Sequence, residues 1–256
     1  MQVSFARAAL SEVEGDLRRH LQALPGPIDS FLEDHVRASS HHMIRVGGER
    51  AGLCSVHEGR LLTHFSLDRA FLRCGQAAFQ AARRLENVGA ALVPTCDELF
   101  LSHALDDYRQ LLKQAYFFEA GPSSGAVDAA GEVALRSAAA ADEAAIRQHS
   151  GDFFGDVAPR IERGELFVTE RAGAPVGFGI MENSKLLPDV ASIGMFTLEA
   201  VRGTGVATAT ISLLIQECAR RGIRPVAGCW YYNHSSKRAL ERAGMVTRTR
   251  LLRVEY

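Results

Sequence analysis

Residues 195–218 read MFTLEAVRGTGVATATISLLIQEC. An apolar, strand-like run ends in Arg202-Gly203-Thr204-Gly205-Val206-Ala207. A helix is predicted from there over about 205–220, with Ala207, Ile211, Leu214, Ile215 and Cys218 on one face. A strand that enters a helix through glycines makes an anion cradle. Successive N–H groups at the helix start converge, and the helix dipole adds positive potential. Glycines allow φ > 0 and close approach of a diphosphate. Two nucleotide motifs fail here. The P-loop string GxxxxGK[ST] does not occur. A dinucleotide fingerprint started at Gly203 needs Gly or Ala where Thr208 stands, and the acidic residue expected about 20 positions on is missing.

Outward from this stretch, ELFVTER and PVGFGIM read as a hairpin and VASIGMFTL as a long strand. VALRS reads as an earlier strand, followed by helical stretches near 142–150 and 157–163. PVAGCWYY is a strand, Asn233 to Ala243 a helix and VTRTRLLRVEY a last strand. The first half has the same plan. MIRVGG and AGLCSV flank a turn at Gly47-Gly48, and RLLTHFSLD follows. A helix over about 76–86, the strand GAALVPTC, a helix over about 98–114 and the apolar run AYFF complete it. Residues 121–141 are rich in Gly, Ser and Ala and poor in large apolar side chains, so they read as a linker. A duplicated α/β unit is predicted, with domains at 1–125 and 126–256.

Composition sets the outer limits. The chain has 256 residues, 47% of them apolar, which suits one large or two small globular domains. Its 29 basic and 30 acidic residues give a net charge of −1, against the cationic excess of a nucleic-acid or membrane-surface binder. No apolar run reaches the roughly 18–20 residues of a membrane span. The opening segment has scattered charges and no apolar core, so it does not read as a secretory signal. Five cysteines, none in CxxC spacing, suggest reduced thiols in a cytoplasmic protein. His41 and His42 are neighbours that face opposite sides of a strand, and no HExxH accompanies them or His103, so no metal is expected. Gly121–Gly125 matches GxSxG but lacks the strand–turn–helix setting of a nucleophile elbow, and reads as linker.

The cradle, with Arg202, Gly205 and Ala207, resembles the [RQ]-x-x-G-x-[GA] acyl-CoA motif of the GNAT superfamily of N-acetyltransferases. The later block Asn233…Ser236…Ala239…Gly244-Met245 resembles that family's N-x-x-S-x-x-x-A/L-x-x-x-G-F. The resemblance covers roughly 132–256. It implies two mixed, mostly antiparallel α/β (α+β) sheets flanked by helices, the first half degenerate. It also implies acetyl-CoA as co-substrate, with the pantetheine arm in a wedge between splayed strands. Carried over, Phe196, Thr197 and Leu198 would pair by backbone with pantetheine. The amides of Arg202, Gly203, Thr204, Gly205, Val206, Ala207 and Thr208 would hold the pyrophosphate. Asn233 and Ser236 would contact the arm or thioester, and Lys237 or Arg238 a nucleotide phosphate. Leu240 stands where many members place a tyrosine that protonates the leaving thiolate, and it cannot do so.

The implied chemistry is acetyl transfer to the primary amine of a small molecule in a ternary complex. It needs a base for the amine and donors for the oxyanion. Glu182 and Glu199 are candidate bases, Glu199 as a solvent-facing residue. Of Tyr231 and Tyr232, which alternate on a strand, Tyr231 is the one expected in the wedge. Cys229 on the same face reads as a buried structural thiol. In the first half the matching cradle, Leu72–Ala77, has the wrong spacing, so one acyl-CoA site is expected, in the second half. The first half would shape the acceptor pocket or support a homodimer. Asp97, Glu98 and His64 could line such a pocket, with solvated surface as the default. A non-catalytic CoA-binding or partner module, which Leu240 permits, and an aminoacyl-tRNA-dependent transferase remain alternatives. The net charge weighs against the second.

Overall fold

The computed structural model describes residues 2–85, 87–122 and 133–256. The proposed boundary at 125/126 and Ser123–Gly125 of the GxSxG string lie outside the described residues. The chain forms two compact units, Met1–Tyr116 with Thr249–Tyr256, and Phe117–Arg248.

The first unit runs β1 (Val3–Ala8), α1 (Leu10–Ala23), α2 (Ser30–Arg37), β2 (Ser40–Val46), β3 (Glu49–His57) and β4 (Leu61–Leu67). A 3-10 turn (Arg69–Cys74), α3 (Gly75–Arg83), β5 (Ala90–Pro94), α4 (Glu98–Ala104) and the start of β6 (Gln110–Ala120) follow. Gly47 and Gly48, at φ +60° and +89°, make the tight turn between β2 and β3. β1 to β4 are antiparallel neighbours. The core centres on Phe65, whose ring lies 5.0 Å from Phe79 and 6.4 Å from Phe100.

The second unit repeats the order: β7 (Val133–Ser137), α5 (Glu143–Ser150), α6 (Val157–Glu162), β8 (Leu166–Arg171), β9 (Ala174–Asn183) and β10 (Val190–Thr197). A 3-10 turn (Glu199–Val201), α7 (Val206–Arg220), β11 (Arg224–Trp230), α8 (His234–Arg242) and β12 (Met245–Glu255) complete it. Its strands are ordered β7-β8-β9-β10-β11-β6. The last strands are exchanged. In the first unit, Leu251–Glu255 of β12 pair antiparallel with β5. In the second, β6 is the neighbour of β11, and its residues from Phe117 onward belong there. Phe154, Val157, Val168 and Phe178 lead the second core.

Three sequence expectations need correction. The helix expected over 98–114 ends at Ala104, and Leu111 and Leu112 lie on β6. Leucines spaced for a helix also serve a strand once a turn at Asp106-Asp107 intervenes. The amphipathic α1, with Val13, Leu17 and Leu21 buried, was not assigned. PVAGCWYY is shorter as a strand, since β11 stops at Trp230. No helix of the described residues is long and apolar enough to cross a membrane.

The first unit also buries a polar chain. His20 Nε2 lies 2.7 Å from Asp97 Oδ2, and its ring stands 4.6 Å from that of His64. His64 Nε2 bonds Ser66 Oγ at 2.9 Å, and His41 Nδ1 bonds Ser55 Oγ at 2.9 Å. Burial first, then His20 and His41, hold the His64 pKa well below its ordinary 6.5. The folded state therefore binds the neutral imidazole. Its contribution is whole above about pH 6.5 and is lost as pH falls below that toward the depressed value. Denaturant midpoints measured by circular dichroism should drop between pH 7.5 and 5.0, and His64→Gln should reduce the drop. An equal drop in the variant contradicts the assignment.

Candidate functional site

The site begins with where β10 is held and where it is released. On one side it pairs with β9 without a break from Ala191↔Asn183 to Thr197↔Gly177. Gly177 permits this closeness, since a Cβ there would lie 2.6 Å from the Phe196 carbonyl oxygen. On the other side β10 runs parallel to β11 only through Val190↔Arg224, Ala191↔Pro225 and Ser192↔Val226. Beyond Ser192 the strands part, and Ile193–Thr197 face a wedge. The Leu198 N–H donates to Val176 O at 3.1 Å. By alternation the peptide groups of Phe196 and Gly194 also turn toward β9, and those of Ile193, Met195 and Thr197 turn to the wedge. Of the three residues expected to pair with a ligand, Thr197 is the one so turned. The peptides of Ile193 and Met195 turn the same way, which sequence does not reveal because it does not show which peptides a neighbouring strand consumes.

The cradle closes the wide end of the wedge. Gly203 and Gly205 adopt φ +81° and +89°, which costs an L-residue about 1–2 kcal/mol. A Cβ at either would meet nothing within 4 Å. Gly205 caps α7, and the first helical bond is Ala209 N–H to Gly205 O at 3.0 Å. The N–H groups of Val206, Ala207 and Thr208 are thus first-turn donors without an intrahelical acceptor. Thr204 Oγ1 donates to Val201 O at 2.8 Å and Arg202 Nε to Thr197 O at 3.4 Å, which fix the loop. Thr197 Oγ1 is buried and has no hydrogen-bond partner among the described residues. These features suit an anionic, extended ligand with a polar arm: donors converge, space is open and a hydroxyl is unused.

The β11 side ends in the α8 cap. Asn233 Oδ1 accepts from Ser236 N–H at 3.0 Å, so Asn233's oxygen is occupied as the cap of α8, just after β11 ends at Trp230. Cys229 Sγ donates to Trp230 O and Asn233 O, each at 3.4 Å, and burial pushes its thiol pKa up, as suits a structural thiol. Tyr231 and Tyr232 lie in the turn after β11, so strand alternation does not separate them. Tyr231 is half-buried with its ring 5.3 Å from that of Tyr232. Lys237 pairs with Glu241, Arg238 is exposed and Leu240 is buried. Glu199 is exposed in the 3-10 turn.

Glu182 is not brought to the cradle. It stands on β9 opposite Ser192, at the closed end of the wedge, five rungs from Thr197, or about 17 Å along the strand. Its Oε1 lies 3.4 Å from Arg160 Nη1, which also reaches Glu165 Oε2 at 3.3 Å.

The first unit has the corresponding parting, since β4 pairs parallel with β5 only at Leu61↔Ala90 and Leu62↔Ala91. Its counterpart of the cradle is different. Gly75 is helical at φ −54°, and a Cβ there would lie 2.2 Å from His103 Nε2, so this glycine serves packing. Asp97 caps α4 by accepting from Phe100 N–H at 3.1 Å. Contrary to the solvated default, Asp97 and His64 are 4% and 3% exposed. Glu98 is exposed. No group of three or more His, Cys, Asp or Glu suited to a metal ion occurs among the described residues.

Comparison with known proteins agrees with this architecture. The GNAT acetyltransferase domain model matches residues 9–121, and the acetyltransferase (GNAT) family model matches 135–245. A GNAT-family acetyltransferase from Colwellia psychrerythraea superposes with TM-score 0.87 at 18% identity, covering 100% of both chains. A tandem GNAT protein from the clavulanic acid biosynthesis pathway superposes at 0.65 with 12% identity, covering 100% of this chain and 98% of its own. A GCN5-related N-acetyltransferase from Sphaerobacter thermophilus superposes at 0.66 with 13% identity, covering 99% and 95%. No curated protein matches the chain.

Removing the Asn233 cap by Asn233→Ala should destabilise the second unit by about 1 kcal/mol, measured by urea denaturation. A change below about 0.3 kcal/mol would mean the cap is energetically idle.

Proposed function

Because the chain belongs to the GNAT acetyltransferase family, with two such domains in tandem, we propose that its second half binds acetyl-CoA and acetylates the primary amine of a small molecule. The observation that carries this is the parting of β10 from β11 beyond Ser192, leading to a cradle of left-handed glycines. The N–H groups of Val206, Ala207 and Thr208 hold the pyrophosphate. The peptides of Ile193, Met195 and Thr197 align the pantetheine arm, and the Thr197 hydroxyl gains a partner. Asn233 and Ser236 border the arm from the β11 side.

The bound thioester supplies an activated acetyl group: the amine nitrogen bonds its carbonyl carbon, the C–S bond breaks and CoA leaves as thiolate. What the chain adds is placement and proton handling. A wedge-facing peptide N–H lies where charge develops on the carbonyl oxygen. The amine must arrive neutral. Glu182 at the closed end and Tyr231 at the rim are the candidate proton acceptors, Glu182 with its charge shared by Arg160. Leu240 has no proton to give, so departure of the thiolate takes no help from that position. The first half binds no acyl-CoA in this reading, since its helical Gly75 leaves no left-handed cradle.

Acetyl-CoA at about 100 times its Kd should add about 2.7 kcal/mol and raise Tm by about 5–10 °C. Arg202→Ala should reduce the shift, and Gly205→Asp should abolish it through strain and like charge. No shift in the native protein, or a full shift in both variants, overturns the proposal. Glu182→Gln should lower kcat at least tenfold with the shift intact if Glu182 is the base. Unchanged kcat removes it from that role.

A further inference from the structure

The second unit also gathers charge at the closed end of the wedge. Arg160 and Arg163 stand at the end of α6, Glu165 just before β8 and Glu182 on β9. Backbone hydrogen bonds fix this corner. Arg163 N–H donates to Pro159 O at 3.1 Å and Gly164 N–H to Ile161 O at 2.9 Å. Gly164 is left-handed at φ +68°, so α6 ends in a defined turn. Glu165 N–H then donates to Arg160 O at 3.0 Å, and Met181 N–H to Glu165 O at 2.8 Å. The end of α6 is thus tied to β9 one residue away from Glu182.

The side chains on this frame have unequal partners. Arg163 takes Glu165 with two contacts, Nε to Oε1 and Nη2 to Oε2, each 3.0 Å. Arg160 Nη1 lies between the two carboxylates, 3.3 Å from Glu165 Oε2 and 3.4 Å from Glu182 Oε1. The side chains of Arg160, Glu182 and Glu165 are 20%, 14% and 10% exposed, so salt and water screen their contacts little. Arg163 is exposed, and the residue facing Glu182 from β10 is the neutral Ser192. Largely buried ion pairs of this kind are a poor way to hold a sheet together, since apolar residues of similar volume serve as well or better. Removing the one cation that bridges two such carboxylates leaves them facing each other, which disfavours the charged form of both.

The position of Glu182 gives the bridge a use. Ser192, opposite it, is the last residue of β10 held by both neighbouring strands. An arm seated on the cradle and running along β10 comes to this rung after about 17 Å. We infer that Arg160 is the positioning residue of Glu182: it fixes Oε1 and offsets the negative charge, so that Oε2 is the oxygen presented to the acceptor amine. The ammonium gives its proton to Oε2, the neutral nitrogen bonds the thioester carbonyl carbon, CoA leaves as thiolate, and Glu182 returns the proton to water. This rests on the acetyl-CoA reading of the same unit, with Glu182 as proton acceptor.

The test is steady-state kinetics of the full chain from pH 6 to 9, with CoA release followed from acetyl-CoA and either ethanolamine or 2-phenylethylamine. Arg160→Met should lower kcat at pH 7 by about tenfold or more, within the range that a well-placed base contributes. KM for acetyl-CoA should stay within about twofold and the acetyl-CoA thermal shift should persist, because no cradle contact is removed. The acid limb of the kcat/KM profile should move up by about one pH unit, since a carboxylate that has lost its cation needs higher pH to ionise. Arg160→Lys, which keeps the charge, should recover part of the rate and bring the limb back toward its native place, which a merely structural role would not. Glu182→Asp, which draws the carboxylate back from Arg160, should shift the limb the same way, and it carries the test should Arg160→Met fail to fold. In a Glu182→Gln background Arg160→Met should cost little more, because the two residues act as a unit. An unmoved acid limb, a full additional loss in that background, or an effect confined to KM for acetyl-CoA overturns the inference while leaving acetyl transfer standing. No CoA release with either amine, together with no acetyl-CoA thermal shift, overturns both.

Discussion

The structure of the second unit depends on three parallel rungs between β10 and β11. They end at Ser192 and Val226, although both strands continue. Every peptide group on the free side of β10 is then left with a hydrogen-bonding capacity that the sheet does not use, at a cost wherever water is excluded. Such an edge inside a fold persists only if something else completes it. Continuous pairing to β9, made close by Gly177, keeps the free edge straight instead of letting it collapse onto β11. The left-handed glycines then turn the chain so that the first amides of α7 open on the same wedge. The parting and the cradle form one device, because the strand end that loses its neighbour is the strand end that feeds the loop.

Much of this was legible in the residues. Gly203 and Gly205 are hard to explain except by φ > 0, and the apolar spacing from Ala207 to Cys218 needs a helix after them. The doubling of the fold was visible too, since hairpin, long strand, helix, strand and helix recur in the same order. What was not legible has two physical causes. The first is register. Peptides of Met195 and Ile193 face the wedge and Phe196 and Leu198 do not, because of pairing with β9, and pairing leaves no mark on residue type. The second is tertiary override of local pattern. Leu111 and Leu112 fit a helix face in sequence, yet the run to Ala120 pairs as a strand. β6 and β12 are both long and exchanged between units, so their partners are distant in sequence. Tyr231 belongs with the second cause, since β11 ends at Trp230 and strand alternation does not extend into the turn that follows.

The two units also show one architecture with different residues at matching positions. Both have the parted strands, so the backbone plan alone does not decide whether a unit binds anything. The difference lies in a few positions of matching order. Gly205 is left-handed with open space around it; Gly75 is helical and pressed against His103. Asn233 caps its helix with a neutral oxygen at an exposed rim. Asp97 caps its helix with a buried carboxylate that also holds His20. A carboxylate at this helix cap opposes an anionic ligand there.

The chain around Asp97 supplies several of its own hydrogen-bond partners. Asp97 receives the Phe100 amide on one oxygen and His20 on the other, and His64 finds Ser66, so the buried chain has internal partners. The second unit has a neutral oxygen at the matching helix cap, where Asn233 accepts from the Ser236 N–H. Its Thr197 hydroxyl is buried without a partner among the described residues, and the first-turn amides of α7 have no intrahelical acceptor. A polar group left so costs stability wherever water is excluded, and a ligand that binds only the folded state offsets such a cost. The same plan therefore carries a buried carboxylate–histidine chain in one half and a cradle of left-handed glycines beside an unsatisfied threonine hydroxyl in the other.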